Sequence, residues 1–193
     1  MRSSGTGAAT SSNCAGSRVL MTSNLVLIGF MGTGKSVVGQ ALAKRLKRRF
    51  IDIDDQIERE MGRPIRQIFA EEGELAFRRL EKAMIQRVTA DEDQVIATGG
   101  GAVMDPANFE ALQRTGWLVW LKAEPDVILQ RVGDVHSRPL LNVADPRSRL
   151  EELLTLRQAT YAKANAVVDT SKQTIEHVVD EICRQWPGSE SQG

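Results

Sequence analysis

Short apolar runs alternate with amphipathic stretches along most of the chain. Residues 25–28 read Leu-Val-Leu-Ile and run into glycine, the mark of a buried strand. A helical pattern follows over about 35–48, and 49–54 predicts a second strand. Helical stretches are expected near 55–61, 64–71 and 74–89, punctuated by Gly62-Arg63-Pro64 and by Gly73. Residues 95–98 predict a third strand closed by three glycines, and 106–114 a helix. A fourth strand is expected at 118–121, helices at 125–132 and 148–164, a fifth strand at 166–168 and a last helix at 173–186. Residues 133–147 carry Gly133, Pro139, Asn142 and Pro146 and read as a loop. Strands alternating with helices imply an α/β fold, a parallel sheet covered on both faces. Ligands of such sheets bind outside the carboxyl ends of the strands, so the chemistry is sought there. The pattern shows no internal repeat and no second domain.

Composition narrows this picture. A chain of 193 residues, 41% hydrophobic and 26% charged, suits one domain with a sizeable core. Its 25 basic and 25 acidic residues balance, which argues against a general nucleic-acid binder. No apolar run approaches the roughly 20 residues that span a bilayer, so no membrane partner is expected. Residues 1–23 are rich in Ser, Gly, Ala and Thr and lack the apolar stretch of a secretory signal. They are expected to form a disordered extension, with Met21 an alternative start; Arg and Ser without acids leave an organelle-targeting reading open. Residues 187–193 read as a frayed tail. Cys14 and Cys183 are far apart and only two His are present, so a structural zinc site is not expected. The plain reading is two free thiols in a reducing cytosol.

One motif dominates the chemistry. Gly29-Phe30-Met31-Gly32-Thr33-Gly34-Lys35-Ser36 matches G-x-x-x-x-G-K-[ST] without a gap, between a predicted strand and a predicted helix. Its glycines let backbone N–H groups turn inward onto phosphate oxygens, and the helix adds the positive end of its dipole. Lys35 is expected at the β and γ phosphates of a nucleotide, and the Ser36 hydroxyl on Mg²⁺.

The other strand ends carry further candidates. Alternation along the second strand would put Asp52 and Asp54 on one face, where two carboxylates repel unless something positive lies between them. A Mg²⁺–ATP complex with a polyol would serve; alternatively Asp54 or, more naturally, Asp55 caps the next helix. On the 74–89 helix, Phe77, Leu80, Met84 and Val88 form a core stripe. Arg78 adjoins it and Arg79 lies further round, where a solvated arginine is the plain reading. Arg157 falls on the apolar stripe of Leu150, Leu153, Leu154 and Tyr161, and a buried arginine requires an anion. That anion is either an internal carboxylate or a substrate carboxylate gripped by both arms of the guanidinium. Arg138 sits in the 133–147 loop, which suits a closing lid over transferring charge; His136 nearby reads as a surface residue. The third strand ends in Gly99-Gly100-Gly101, which either admits a ligand close to backbone amides or forms a plain turn.

The pattern resembles the shikimate kinases. The carrying segments are GFMGTGKS at 29–36, FIDIDD at 50–55, GELAFRRLE at 73–81, TGGGAV at 98–103, SRPLL at 137–141 and the Arg157 helix ending in Tyr161. They stand in the family's order across about 24–186. The resemblance implies a P-loop fold of the nucleoside monophosphate kinase type, with a five-stranded parallel sheet in a single kinase domain over 24–186. Within it, 54–90 would be the shikimate-binding region and 133–147 the lid. It implies transfer of the γ-phosphoryl group of ATP to the 3-hydroxyl of shikimate, with Mg²⁺, in a cytoplasmic monomer of the aromatic amino-acid pathway. Gly32, Thr33, Gly34, Lys35, Ser36 and Val37 would bind ATP, and Arg131 would pack on adenine. Arg138 would be the lid arginine. Asp54, Arg78, Gly100, Gly101 and Arg157 match the shikimate contacts. Of these, the two arginines would hold the carboxylate, and Asp54 would bind the attacking hydroxyl and take its proton. Asp52 matches a Mg²⁺-linked acid, and Phe69 and Phe77 match the apolar lining of the shikimate pocket.

Two departures stand out. Val37 occupies a position where many P-loops carry a second Ser or Thr, and the loop at Thr170-Ser171-Lys172 only loosely matches the family's adenine-holding segment. Rival readings are a gluconate kinase-like or other small-metabolite kinase, a nucleoside monophosphate kinase, and a kinase-derived binding domain. The first would lack the GGG and FRR pair, the second needs a pocket for a second base, and the third would have lost one of Lys35, Asp52, Asp54 or Arg138.

Overall fold

The computed structural model describes residues 24–133 and 140–187. Five parallel strands form one sheet in the order β2-β3-β1-β4-β5: β1 Asn24–Ile28, β2 Arg49–Asp52, β3 Gln94–Ala97, β4 Gly116–Lys122 and β5 Ala166–Asp169. Strand β1 is central, with Val26 opposite Ile96 on one side and Leu118 on the other. Its continuous apolar run follows from burial on both faces. Val26 and Ile28 face one core with Ile51, Ile96 and Leu118, and Leu25 and Leu27 face another with Val95, Val119 and Val168.

Helices α1 (Lys35–Leu46) and α7 (Ile175–Gln185) cover the second face through Val38, Leu42, Val178 and Ile182. Helices α2 (Ile53–Met61), α3 (Ile65–Val88) and α4 (Pro106–Thr115) cover the first through Ile57, Met84, Ile85 and Leu112. Helices α5 (Pro125–Val132) and α6 (Pro146–Tyr161) close a third cluster over Phe30, with Ile128, Leu141, Leu150 and Leu153. Tyr161, at the end of α6, reaches back into the first core.

Several boundaries differ from the sequence-based expectation. Strand β2 stops at Asp52 rather than 54, because the Asp52 carboxylate caps α2, accepting from the Asp54 and Asp55 amides at 3.1 and 3.5 Å. The cap is thus neither Asp54 nor Asp55. Helix α3 spans 65–88 as two helical stretches joined across Gly73, which has non-helical φ 81° and ψ 172°. The expected break therefore exists as a kink. Strand β4 is longer than expected, and a short 3₁₀ turn, Ala102–Met104, follows the glycines of the third strand.

Candidate active site

Strand β1 delivers the chain into the glycine loop. Gly29 has φ 138°, and a Cβ there would lie 2.3 Å from the Leu121 carbonyl oxygen, so only glycine fits beside β4. Gly34, at φ 92°, turns the backbone into α1, whose first turn holds no acid to offset the helix dipole. The loop is already organised: the Lys35 ammonium donates to the Phe30 carbonyl at 2.7 Å and the Thr33 hydroxyl to the same oxygen at 2.8 Å. Ser36 Oγ donates to Asp52 Oδ2 at 2.6 Å, tying the phosphate loop to the end of β2.

A second cleft opens between α2, α3 and the triple glycine. Phe69 and Phe77 line it with ring centroids 4.9 Å apart. Arg78 reaches in from α3 rather than out to solvent. Its Nη1 donates to Glu81 at 2.7 Å and its Nη2 to Glu74 at 2.9 Å. Arg157 is buried, with its guanidinium carbon 5.1 Å from the Phe30 ring centroid, and Nη1 donates to the Gly100 carbonyl at 3.1 Å. Among the described residues no carboxylate makes a hydrogen bond to Arg157, though its charge acts on the buried Glu81 carboxylate.

The nucleotide-side cleft, about 550 Å³, runs along the glycine loop to Arg131, Thr170 and Ile175. The second, about 460 Å³, runs from Asp55 to Arg78 and Arg157. They meet at Met31, Ser36, Asp52, Asp54 and Gly100, which line both. Asp54 is the group at this junction with the most displaced titration. Its Oδ1 is enclosed and finds no hydrogen-bond partner among the described residues. Burial, then the Asp52 and Glu81 carboxylates, push its carboxyl up to about 7 against Lys35 and Arg78. Burial also raises the Glu81 carboxyl despite its Arg78 partner.

A loop of this kind opening on a second, arginine-lined cleft is the layout of a small-molecule kinase, and comparison with known proteins names the kind. The family model described as shikimate kinase matches residues 31–187. The chain belongs to the shikimate kinase family. It is 47% identical over 162 residues to the shikimate kinase of Symbiobacterium thermophilum, covering 82% of this chain and 93% of that one. It is 44% identical over 163 residues to that of Caldanaerobacter subterraneus subsp. tengcongensis, covering 84% and 95%. Among solved structures, the shikimate kinase of Acinetobacter baumannii in complex with shikimate aligns with a TM-score of 0.82 at 36% identity, over 88% of this chain and 95% of that one. A gluconokinase of Sinorhizobium meliloti aligns at 0.55 with 21% identity, a likeness of fold alone.

Within this shikimate kinase fold, the candidate residues fall into the two clefts. Gly32, Thr33, Gly34, Lys35, Val37 and Arg131 line the first; Phe69, Phe77, Arg78, Gly101 and Arg157 line the second; Ser36, Asp52, Asp54 and Gly100 line both. Arg138 and His136 lie outside the described residues. The sequence reading missed Glu81, whose position three after Arg78 was the available signal. Thr170, in the segment that only loosely matches the family's adenine-holding loop, accepts from Arg131 at 3.0 Å through Oγ1 and at 2.5 Å through its carbonyl, placing Arg131 beside the loop after β5.

Proposed function

We propose that this enzyme transfers the γ-phosphoryl group of ATP to the 3-hydroxyl of shikimate, giving shikimate 3-phosphate and ADP. The observation that supports the reading best is the junction: the phosphate loop and the arginine-lined cleft share Ser36, Asp52 and Asp54. In this reading the loop amides and Lys35 hold the phosphates, and Arg78 and Arg157 grip the shikimate carboxylate. That leaves the ring between Phe69, Phe77 and the amides of Gly100 and Gly101. The attacking hydroxyl then faces Asp54, which accepts its proton as the new O–P bond forms and the bond to the β-phosphate oxygen breaks. Positioning and charge stabilisation do most of the work in such transfers.

The Ser36 hydroxyl and the Asp52 carboxylate, 2.6 Å apart at the junction, are the hard oxygen donors that suit Mg²⁺, an ion that keeps several waters and takes few protein ligands. Bound there, Mg²⁺ would neutralise phosphate charge. We assign 24–186 as the kinase domain, 54–90 as the shikimate-binding region, 133–147 as the lid with Arg138 over the phosphates, and Arg131 to the adenine. The same reading makes the protein a cytoplasmic monomer. No helix among the described residues is long and apolar enough to cross a membrane.

The test is ADP release, coupled to a reporter, with and without shikimate. Turnover should require shikimate and vanish with chelator. Quinate or a decarboxylated analogue should be a poor acceptor. Equal turnover with gluconate would sink the assignment.

A further inference from the structure

The sole tyrosine of the chain, Tyr161, is wholly buried at the carboxyl end of α6. A buried phenol needs a polar partner. Here its hydroxyl donates to the Gly100 carbonyl at 2.5 Å, the same oxygen that accepts from Arg157 Nη1 at 3.1 Å. Positions 157 and 161 lie one turn apart on one helix face, so their donors converge. A carbonyl oxygen has two lone pairs, and these two donors fill them. Gly100 has no side chain to anchor it and stands between two other glycines. Its Cα also abuts the phosphate loop, since a Cβ there would sit 3.3 Å from the Met31 nitrogen and 3.4 Å from the Gly29 carbonyl. The carbonyl of Gly100 is therefore the point where α6 holds both the glycine turn and the phosphate loop's neighbour.

We propose that the Tyr161 hydroxyl is a positioning group for the acceptor: by holding the Gly100 carbonyl beside Arg157 it fixes the glycine turn and the guanidinium in the arrangement that receives the shikimate carboxylate and ring. Tyr161 lines neither cleft and acts through these two residues. Its ring packs 5.7 Å from that of Trp120, a contact that phenylalanine would keep. The inference rests on the second cleft being the shikimate site.

Tyr161→Phe removes the hydroxyl alone. The shikimate KM should rise by about 3- to 10-fold, the range for one neutral hydrogen bond, with the ATP KM and kcat little changed. Combined with Arg157→Lys, the loss should be smaller than the product of the single losses, because both act through one carbonyl. A tyrosine that merely fills the core would leave both KM values alone or move them together, and that result would overturn the proposal. Should Tyr161→Phe fail to fold, 3-fluorotyrosine at this single site keeps the question open to ¹⁹F NMR. Shikimate should shift the resonance, and no shift at saturation would also overturn the proposal. Arg157→Ala separates the two levels of the argument. If it raises the shikimate KM while Tyr161→Phe does not, only the role of Tyr161 falls. If neither does, the cleft assignment falls and takes this proposal with it.

Discussion

Asp54 carries a cost that its position imposes. Its carboxyl titrates near 7 in the fold against an ordinary 3.8, through burial and through Asp52 and Glu81. Between those values the folded state holds a proton that the unfolded chain has lost, so this group's contribution to stability falls as pH rises from about 4 to about 7. At 1.36 kcal/mol per unit, the displacement corresponds to roughly 4 kcal/mol at most. Asp54→Asn, in chelator and without ligands, should therefore unfold at a higher temperature than wild type at pH 8 and at nearly the same temperature at pH 4. An equal difference at both pH values would mean that packing, not charge, separates the two proteins. The arginines should divide by role. Arg157→Ala should cost on the order of 2–5 kcal/mol of acceptor binding, read as a raised shikimate KM with the ATP KM spared. Arg138→Ala should instead lower kcat, by about 10³–10⁵ if it acts as arginines do on transferring phosphoryl groups. Arg138→Ala changing only the shikimate KM, or Arg157→Ala only kcat, would reverse the assignment.

At the scale of elements, the central strands were legible because burial on both faces leaves unbroken apolar runs, as in 25–28 and 95–97. The glycine loop was legible because its spacing is set by the phosphate geometry it serves. The end of β2 was not. Asp52 ends the strand with its own carboxylate as a cap, and period-two alternation cannot see a cap that arrives two residues early. Asp54 reaches the junction from the first turn of α2, a helical position, and not from the strand face on which alternation placed it. Glu81 was hidden for a different reason. Three residues after Arg78 on a helix, it reads as half of a surface pair, and only the docking of the glycine turn buries it to 1% exposure. That docking yields a prediction. A Cβ on Gly99 would fall 2.6 Å from Glu81 Oε1 and 2.8 Å from Asp54 Oδ1, both enclosed oxygens. Gly99→Ala should therefore displace both carboxylates and raise the shikimate KM by about tenfold or more, since about 1.4 kcal/mol suffices for each factor of ten. Nucleotide binding, measured by titration with ADP, should persist. Unchanged shikimate kinetics would show that the turn can yield without disturbing the two acids.

For the molecule as a whole, the question is how much of the chain the fold requires. Residues 1–23 carry little apolar surface to offset the entropy of ordering them. The amino end of the central strand is fastened from within the domain. Asn24 is fully buried, its Nδ2 donates to the Asp91 carbonyl at 2.9 Å, and its Oδ1 accepts from the Gln94 amide at 3.0 Å. These bonds join the start of β1 to the turn before β3, its neighbour in the sheet, and need nothing upstream. A chain beginning at Met21 should therefore match the full chain in melting temperature and turnover. Asn24→Ala in either chain should not, because it strands the buried Gln94 amide at about 1–3 kcal/mol. At about 2–4 °C per kcal/mol for a domain of this size, that loss is readable in a thermal melt. A fall of more than a few degrees on removing residues 1–20 would mean that the sheet's amino edge depends on the preceding segment. An unchanged melt for Asn24→Ala would mean that β1 is held by its strand pairings alone.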